Sequence, residues 1–167
     1  REYLEACLEV FSSNKTLSKN NNDNKNIQNG EKWLMKIFEC KNSQSKYCLP
    51  NETQVCTKRF YNFMIDSEEI FRASVLTESE HPKAVLKYKK KWSPIYELRN
   101  DEEPFLLGRS GLDIDFLKDV KIKPISEKKY LVIVDFGESH KTENIVTLVP
   151  FNDKFKIDYC KTKYLEN

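Results

Sequence analysis

Few residues in this chain have the types and spacing that chemistry requires. Asp135 closes an apolar run, Tyr130 to Phe136, and stands close in pattern to Tyr130 and, two strands later, to Tyr159. A carboxylate with one or two phenols can form an acid–base set, so Asp135, Tyr130 and Tyr159 are the candidate pocket residues. A carboxylate at such a position either meets a cationic partner or has its pKa raised by burial. Arg109 lies between Gly108 and Gly111 and is followed by Asp113 and Asp115. That constellation serves as a structural ion pair or as a contact for a ligand or partner. The two histidines fall where turns are expected, His81 beside Pro82 and His140 in a hairpin loop, so neither supplies a base on a strand face. No Gly-rich phosphate loop, HExxH or GxSxG is present. No catalytic residue is assigned and the chain reads as a non-enzyme.

The five cysteines, Cys7, Cys40, Cys48, Cys56 and Cys160, contain no CxxC pair, and with two histidines they do not make a zinc site. In an oxidising compartment four of them could pair; in the cytosol all five would be small buried hydrophobes. The polar segment between Cys40 and Cys56 favours the first reading, with Cys40–Cys48 closing a loop that packing cannot hold. Asp101, Glu102 and Glu103, or Asp113 and Asp115, lack the spacing of a dedicated calcium loop. The chain is therefore expected to need no metal and no cofactor.

Length and charge bound the rest. The 167 residues make one domain, 1–167, and the net charge of +2 with 32% charged residues gives no field that would drive it onto nucleic acid or an anionic membrane. Aromatic residues fall on core stripes rather than among basic runs, which argues against nucleic acid. No apolar run is long enough to cross a bilayer. The chain starts at Arg1, which leaves open whether a leader has been removed; a periplasmic or secreted location is expected, with a cytoplasmic one as the alternative.

Organisation follows from periodicity. Leu4, Cys7, Leu8 and Phe11 predict a first amphipathic helix, and residues 12–30, nearly free of apolar side chains, read as a mobile polar loop. Helices are predicted over Glu31–Cys40 (Trp33, Leu34, Ile37, Phe38), over about Thr53–Met64, and after a cap at Asp66 or Ser67. Another starts at Pro82, runs through Tyr88 and Trp92, and ends at Pro94. The stretch from Asn100 to Gly111 is acidic, then apolar, then glycine-punctuated. Phe105, Leu106 and Leu107 are too apolar for a free loop, so they fold back over the sheet or meet a partner. Phe105, Leu106, Arg109 and Asp113, with Trp92 and Tyr96, are the candidate partner-binding residues.

Four β-rich runs complete the chain: Val120 to Lys123, Tyr130 to Phe136, Ile145 to Val149, and Phe155 to Cys160. Their spacing is that of an antiparallel meander, with a turn at Asn152-Asp153. The Tyr130 run is apolar on both faces and so central; Phe155, Ile157 and Tyr159 alternate with Lys156 and Asp158 and predict one wet face. Helices before a sheet predict an α+β fold.

The segments TLVPFNDKFKIDY and FLLGRSGLDIDFLKDVKIKPI resemble the nuclear-transport-factor-2-like superfamily, in particular secreted bacterial members of unassigned function. The resemblance covers roughly Glu31 to Tyr164. It implies N-terminal helices packed on a strongly curved, cone-like antiparallel sheet. That superfamily hosts enzymes, carriers and protein-binding domains, so the fold leaves function open. The expected function is protein binding, as by a bacterial immunity protein that neutralises a toxin or secreted effector; the oligomeric state, a homodimer included, is left open. The alternative is a ligand-binding or hydratase/isomerase-like pocket around Asp135 and the concave sheet face.

Overall fold

The computed structural model describes residues 24–41, 45–71, 77–99, 105–109, 116–138 and 140–165. The predicted first helix, most of the polar loop, and Asp113 and Asp115 lie outside them. The elements are α1 (24–37), β1 (Tyr47–Cys48), α2 (Glu52–Val55), α3 (Lys58–Phe71), α4 (His81–Trp92), a 3-10 turn (Leu106–Gly108), β2 (Phe116–Leu117), β3 (Asp119–Pro124), β4 (Lys129–Asp135), β5 (Lys141–Phe151) and β6 (Lys154–Leu165). Strands β3-β4-β5-β6 form an open antiparallel meander, and β1 pairs with β2 separately. The fold is α+β, as the order of patterns implies.

The sheet's buried face is set by register. Val120, Val134 and Thr142 line one row across it; Ile122, Val132, Asn144 and Thr162 the next; Tyr130, Val146 and Cys160 a third. Most of these side chains are fully buried. On the opposite face Leu131, Ile133 and Ile145 are half-buried between Lys121, Lys123, Lys161 and Lys163. The strand β4 is central and apolar on both faces, as expected.

Helix α1 begins earlier than the apolar stripe indicates: residues 24–30, assigned to the polar loop, are helical. Its stripe of Leu34 and Phe38 is buried and Trp33 and Ile37 pack at the core's margin. Gly30 sits under Tyr130, where an added Cβ would lie 2.1 Å from the phenolic oxygen. The Tyr130 hydroxyl donates to the Ile27 carbonyl at 3.0 Å. Glycine is thus required for close approach rather than for a turn.

The two helices predicted across 53–76 are drawn differently. Asn51 caps a single turn, α2, accepting from the Thr53 N–H at 3.0 Å. Cys56 is extended, and α3 then runs without a break through Asp66 and Ser67. Neither of these caps a helix, because both have partners in its middle. Ser67 Oγ donates to the Phe63 carbonyl at 2.7 Å and meets the Tyr88 hydroxyl at 2.8 Å. Asp66 accepts from Trp92 Nε1 and from Lys91 Nζ, both at 2.7 Å. Helix α4 starts at His81-Pro82 and stops before Pro94, as predicted.

Strand β6 departs from simple alternation. A bulge opposite Thr147/Leu148 leaves Asp158 unpaired, so Ile157 and Cys160 are buried while Tyr159 turns aside. The bulge aims Asp158 at the start of α3, where it accepts from Thr57 Oγ1 (2.7 Å) and Arg59 Nη2 (2.6 Å).

A disulfide joins Cys40 to Cys48, the pairing favoured from the loop's composition, while Cys56 and Cys160 are buried and take part in no disulfide among the described residues. Burial pushes the Cys56 thiol far above its ordinary pKa, with the Glu52 carboxylate adding to the effect.

Two outcomes test this packing. In an open helix interior Gly→Ala stabilises by roughly 1 kcal/mol, whereas overpacking costs about 1–3 kcal/mol. Gly30→Ala is therefore expected to lower the urea midpoint at unchanged slope; a rise would contradict the close approach. Closing so short a loop stabilises by about 2 kcal/mol. The Cys40→Ser/Cys48→Ser double variant should lose about that much, and a non-reducing peptide map of the native chain should show the two cysteines linked.

Candidate functional site

The residues singled out for an acid–base set are not brought together. Tyr130 lies at the start of β4 on the buried face, its hydroxyl used by α1. Asp135 ends the same strand on the opposite face, beside a shallow hollow of about 190 Å³. It does meet a cationic partner, Lys141 Nζ at 3.3 Å, and accepts from the Gly137 N–H at 2.9 Å. Partial desolvation raises its pKa, but the Gly137 N–H and Lys141 outweigh this and hold it below the usual carboxylate value. Tyr159 stacks on Tyr96 at 5.5 Å and donates to the Glu97 carbonyl at 3.1 Å. These three side chains have structural partners and share no pocket.

The candidate partner-binding set is also redistributed. Trp92 and Tyr96 are core residues, 4% and 8% exposed. They belong to an aromatic cluster in which Phe63 lies 5.3 Å from Trp92 and 4.9 Å from Tyr96. Their apolar surface is consumed in holding α3 to α4, which corrects their assignment as contacts. Leu106 is corrected likewise: with Leu107 it is buried against the sheet. Phe105 and Arg109 are half-buried, and Asp113 lies outside the described residues.

Residues 105–109 fold back over the sheet, and the residues beneath explain how. Thr142 Oγ1 donates to the Leu107 carbonyl at 2.8 Å, and His140 Nε2 to the Gly108 carbonyl at 2.8 Å. Asn144 Nδ2 donates to Thr142 Oγ1 and to the Val132 carbonyl, while its Oδ1 accepts from Thr162 Oγ1 at 2.8 Å. Every polar side chain in this buried row has a partner, so the row stabilises rather than penalises the core. Leu107 (φ 62) and Gly108 (φ 78) are both left-handed, and a Cβ on Gly108 would stand 2.4 Å from a Thr142 methyl. The backbone strain at Leu107 is offset by burial and by these hydrogen bonds. The Leu106–Gly108 turn fastens onto the core.

The open cavity lies elsewhere. A cleft of about 980 Å³ separates α1 and the disulfide segment from the β5–β6 hairpin. Its walls are Trp33 and Ile37 on one side, Leu49 and Pro50 behind the disulfide, and Phe151 and Phe155 on the hairpin. A second hollow of about 540 Å³ lies on the other side of the ridge that Trp33 makes with Phe155, whose rings are 6.2 Å apart. The hairpin tip is the two-residue Asn152-Asp153 turn, with Asn152 at φ 52. Lys156 Nζ donates to the Gln54 carbonyl and lies 5.3 Å over the Phe151 ring, which braces the hairpin against α2. Phe151 is nevertheless 52% exposed.

Among the described residues the cleft lining holds no histidine and no free thiol, and there is no cluster of three or more metal-ligating side chains. Sequence reasoning missed this site because Trp33 is far in the chain from Phe151 and Phe155, and Trp33 and Phe155 read as core. The available signal was Phe151 itself, a large apolar residue immediately before a turn. Among the described residues no helix is long and apolar enough to cross a membrane.

No protein-family model matches the chain, and searches of curated proteins and of solved structures returned no match either.

Asp135 supplies a pH-dependent outcome. A carboxylate held below its ordinary value stabilises the fold at pH above that value, and the contribution is lost as pH falls through the lowered pKa. Asp135→Asn is expected to be less stable than the wild type at pH 7. In urea titrations the gap should narrow progressively as the pH falls below the ordinary carboxylate value and through the lowered pKa. A gap that persists undiminished at low pH would contradict the Lys141 pairing.

Proposed function

We propose that this chain is a non-enzymatic protein-binding domain working in an oxidising, extracytoplasmic compartment, and that the aromatic cleft is its contact surface. The observation that carries the reading is Phe151: a half-exposed phenylalanine that lines a cleft together with Trp33 and Phe155. Aromatic side chains on a preformed, rigid surface are the usual anchors of protein recognition. The Cys40–Cys48 bridge supports the compartment, since such bridges persist where thiols are not kept reduced. The commitment of Asp135 to Lys141, above a hollow too small for most substrates, speaks against the alternative of a pocket enzyme. The sequence resemblance to the nuclear-transport-factor-2-like superfamily is compatible with this reading without choosing it over catalysis. It implies a toxin or secreted effector as the partner class and a cone-like curvature of the sheet.

The test is affinity capture from the native source with the wild type, Phe151→Ala and Asp135→Asn as baits. One stoichiometric polypeptide should be retained by the wild type and by Asp135→Asn, and lost by Phe151→Ala. Retention by Phe151→Ala with loss by Asp135→Asn would reverse the reading in favour of the sheet face.

A further inference from the structure

The cleft has a charge pattern as well as an apolar floor. Among the described residues four lysines line it, Lys36 and Lys41 from the α1 side and Lys154 and Lys156 from the hairpin, against the two carboxylates Glu39 and Asp153. The chain as a whole is close to neutral at +2, so this local excess is a property of the site. Lys36, Lys41 and Lys154 are exposed. Lys156 alone is drawn inward, tied to the Gln54 carbonyl while keeping its charge near Phe151. Lysines along both margins with aromatic and aliphatic side chains between them complement a ligand of the opposite layout. Among the described residues no arginine lines the cleft, and lysine does not offer the planar fork that favours phosphate and nucleic acid. Ile37, Leu49 and Pro50 offer aliphatic surface suited to a side chain rather than to a stacked base.

Resting on the protein-binding reading above, we propose that the cleft receives an acidic segment of the partner protein. An aromatic or branched aliphatic anchor enters between Trp33 and Phe151. Asp or Glu residues on either side of the anchor lie opposite Lys36 and Lys154. The volume, about 980 Å³, accommodates several side chains and not merely the anchor. The disulfide and the Lys156–Gln54 bond hold both walls before the ligand arrives, so little ordering cost falls on this side of the interface.

A random peptide display library panned against the full chain tests this directly. Phe151, Lys36 and Lys154 are exposed, so Phe151→Ala and Lys36→Glu/Lys154→Glu should fold normally; an unchanged unfolding midpoint verifies it. Enriched peptides are expected to carry acidic residues around an aromatic or aliphatic anchor. Their binding should fall roughly tenfold or more with either variant and weaken with added salt. Neutral or basic peptides that lose affinity with Phe151→Ala but not with the charge reversal would overturn the acidic assignment and leave the protein-binding reading standing. Peptides indifferent to both variants, or no enrichment at all, would overturn both. Tighter binding of a single-stranded oligonucleotide, lost on charge reversal, would replace the acidic segment with nucleic acid.

Discussion

The approach of Gly30 to Tyr130 fixes where α1 can lie, and most of the functional geometry follows from it. With no Cβ at residue 30, the helix backbone reaches the phenol of a fully buried tyrosine, whose hydroxyl is taken up by the Ile27 carbonyl in the same helix. That single contact sets both the depth and the rotation of α1. Leu34 and Phe38 are then driven into the core, a burial worth roughly 1.5–3 kcal/mol each. Trp33 and Ile37, on the adjoining stripe, are left at the core's margin facing the hairpin. Desolvation raises the pKa of the Tyr130 phenol, which therefore stays a neutral donor throughout the physiological range. The cleft exists because this helix can come no closer on one side and must come that close on the other.

Two further devices divide the molecule into surface that is consumed and surface that is available. The buried polar row of Thr142, Asn144 and Thr162 ties the Leu106–Gly108 turn to the sheet, and the Asp158 bulge ties β6 to α3 through Thr57 and Arg59. Around the second of these, Phe60, Phe63, Tyr88, Trp92, Tyr96 and Tyr159 form a contiguous aromatic cluster. The residues that look most like contacts by type are thus occupied in holding helices to the sheet. Phe151, which looks unremarkable in sequence, stands at the mouth of a cleft with half its surface in water.

Much of the architecture was legible because periodicity is a local property. The four-stranded meander, the central place of β4, the bounds of α4 and the Asn152-Asp153 turn all follow from patterns within a dozen residues. The Cys40–Cys48 pairing was legible for the same reason. What failed depended on partners distant in sequence. The third β-rich run starts at Ile145 in the sequence reading and leaves out Thr142 and Asn144, because their hydrogen bonds to Leu107 and Thr162 belong to other elements. Asp66 and Ser67 read as helix caps, although Trp92 and Tyr88 claim them. The alternation of β6 gave way to a bulge that carries Asp158 to Arg59, a partner 99 residues away in the chain. The cleft was illegible because its walls come from residues near 33, 50 and 151, and a concavity has no local signature.

Hydrogen–deuterium exchange with and without the captured partner bears most directly on the claim that this cleft is the working surface. Backbone protection on binding should concentrate in residues 33–37 and 150–156, the two walls that the ligand bridges. The half-buried sheet face around Leu131, Ile133 and Ile145 should exchange as in the free chain. Protection of that face instead, with residues 150–156 unchanged, would contradict the account.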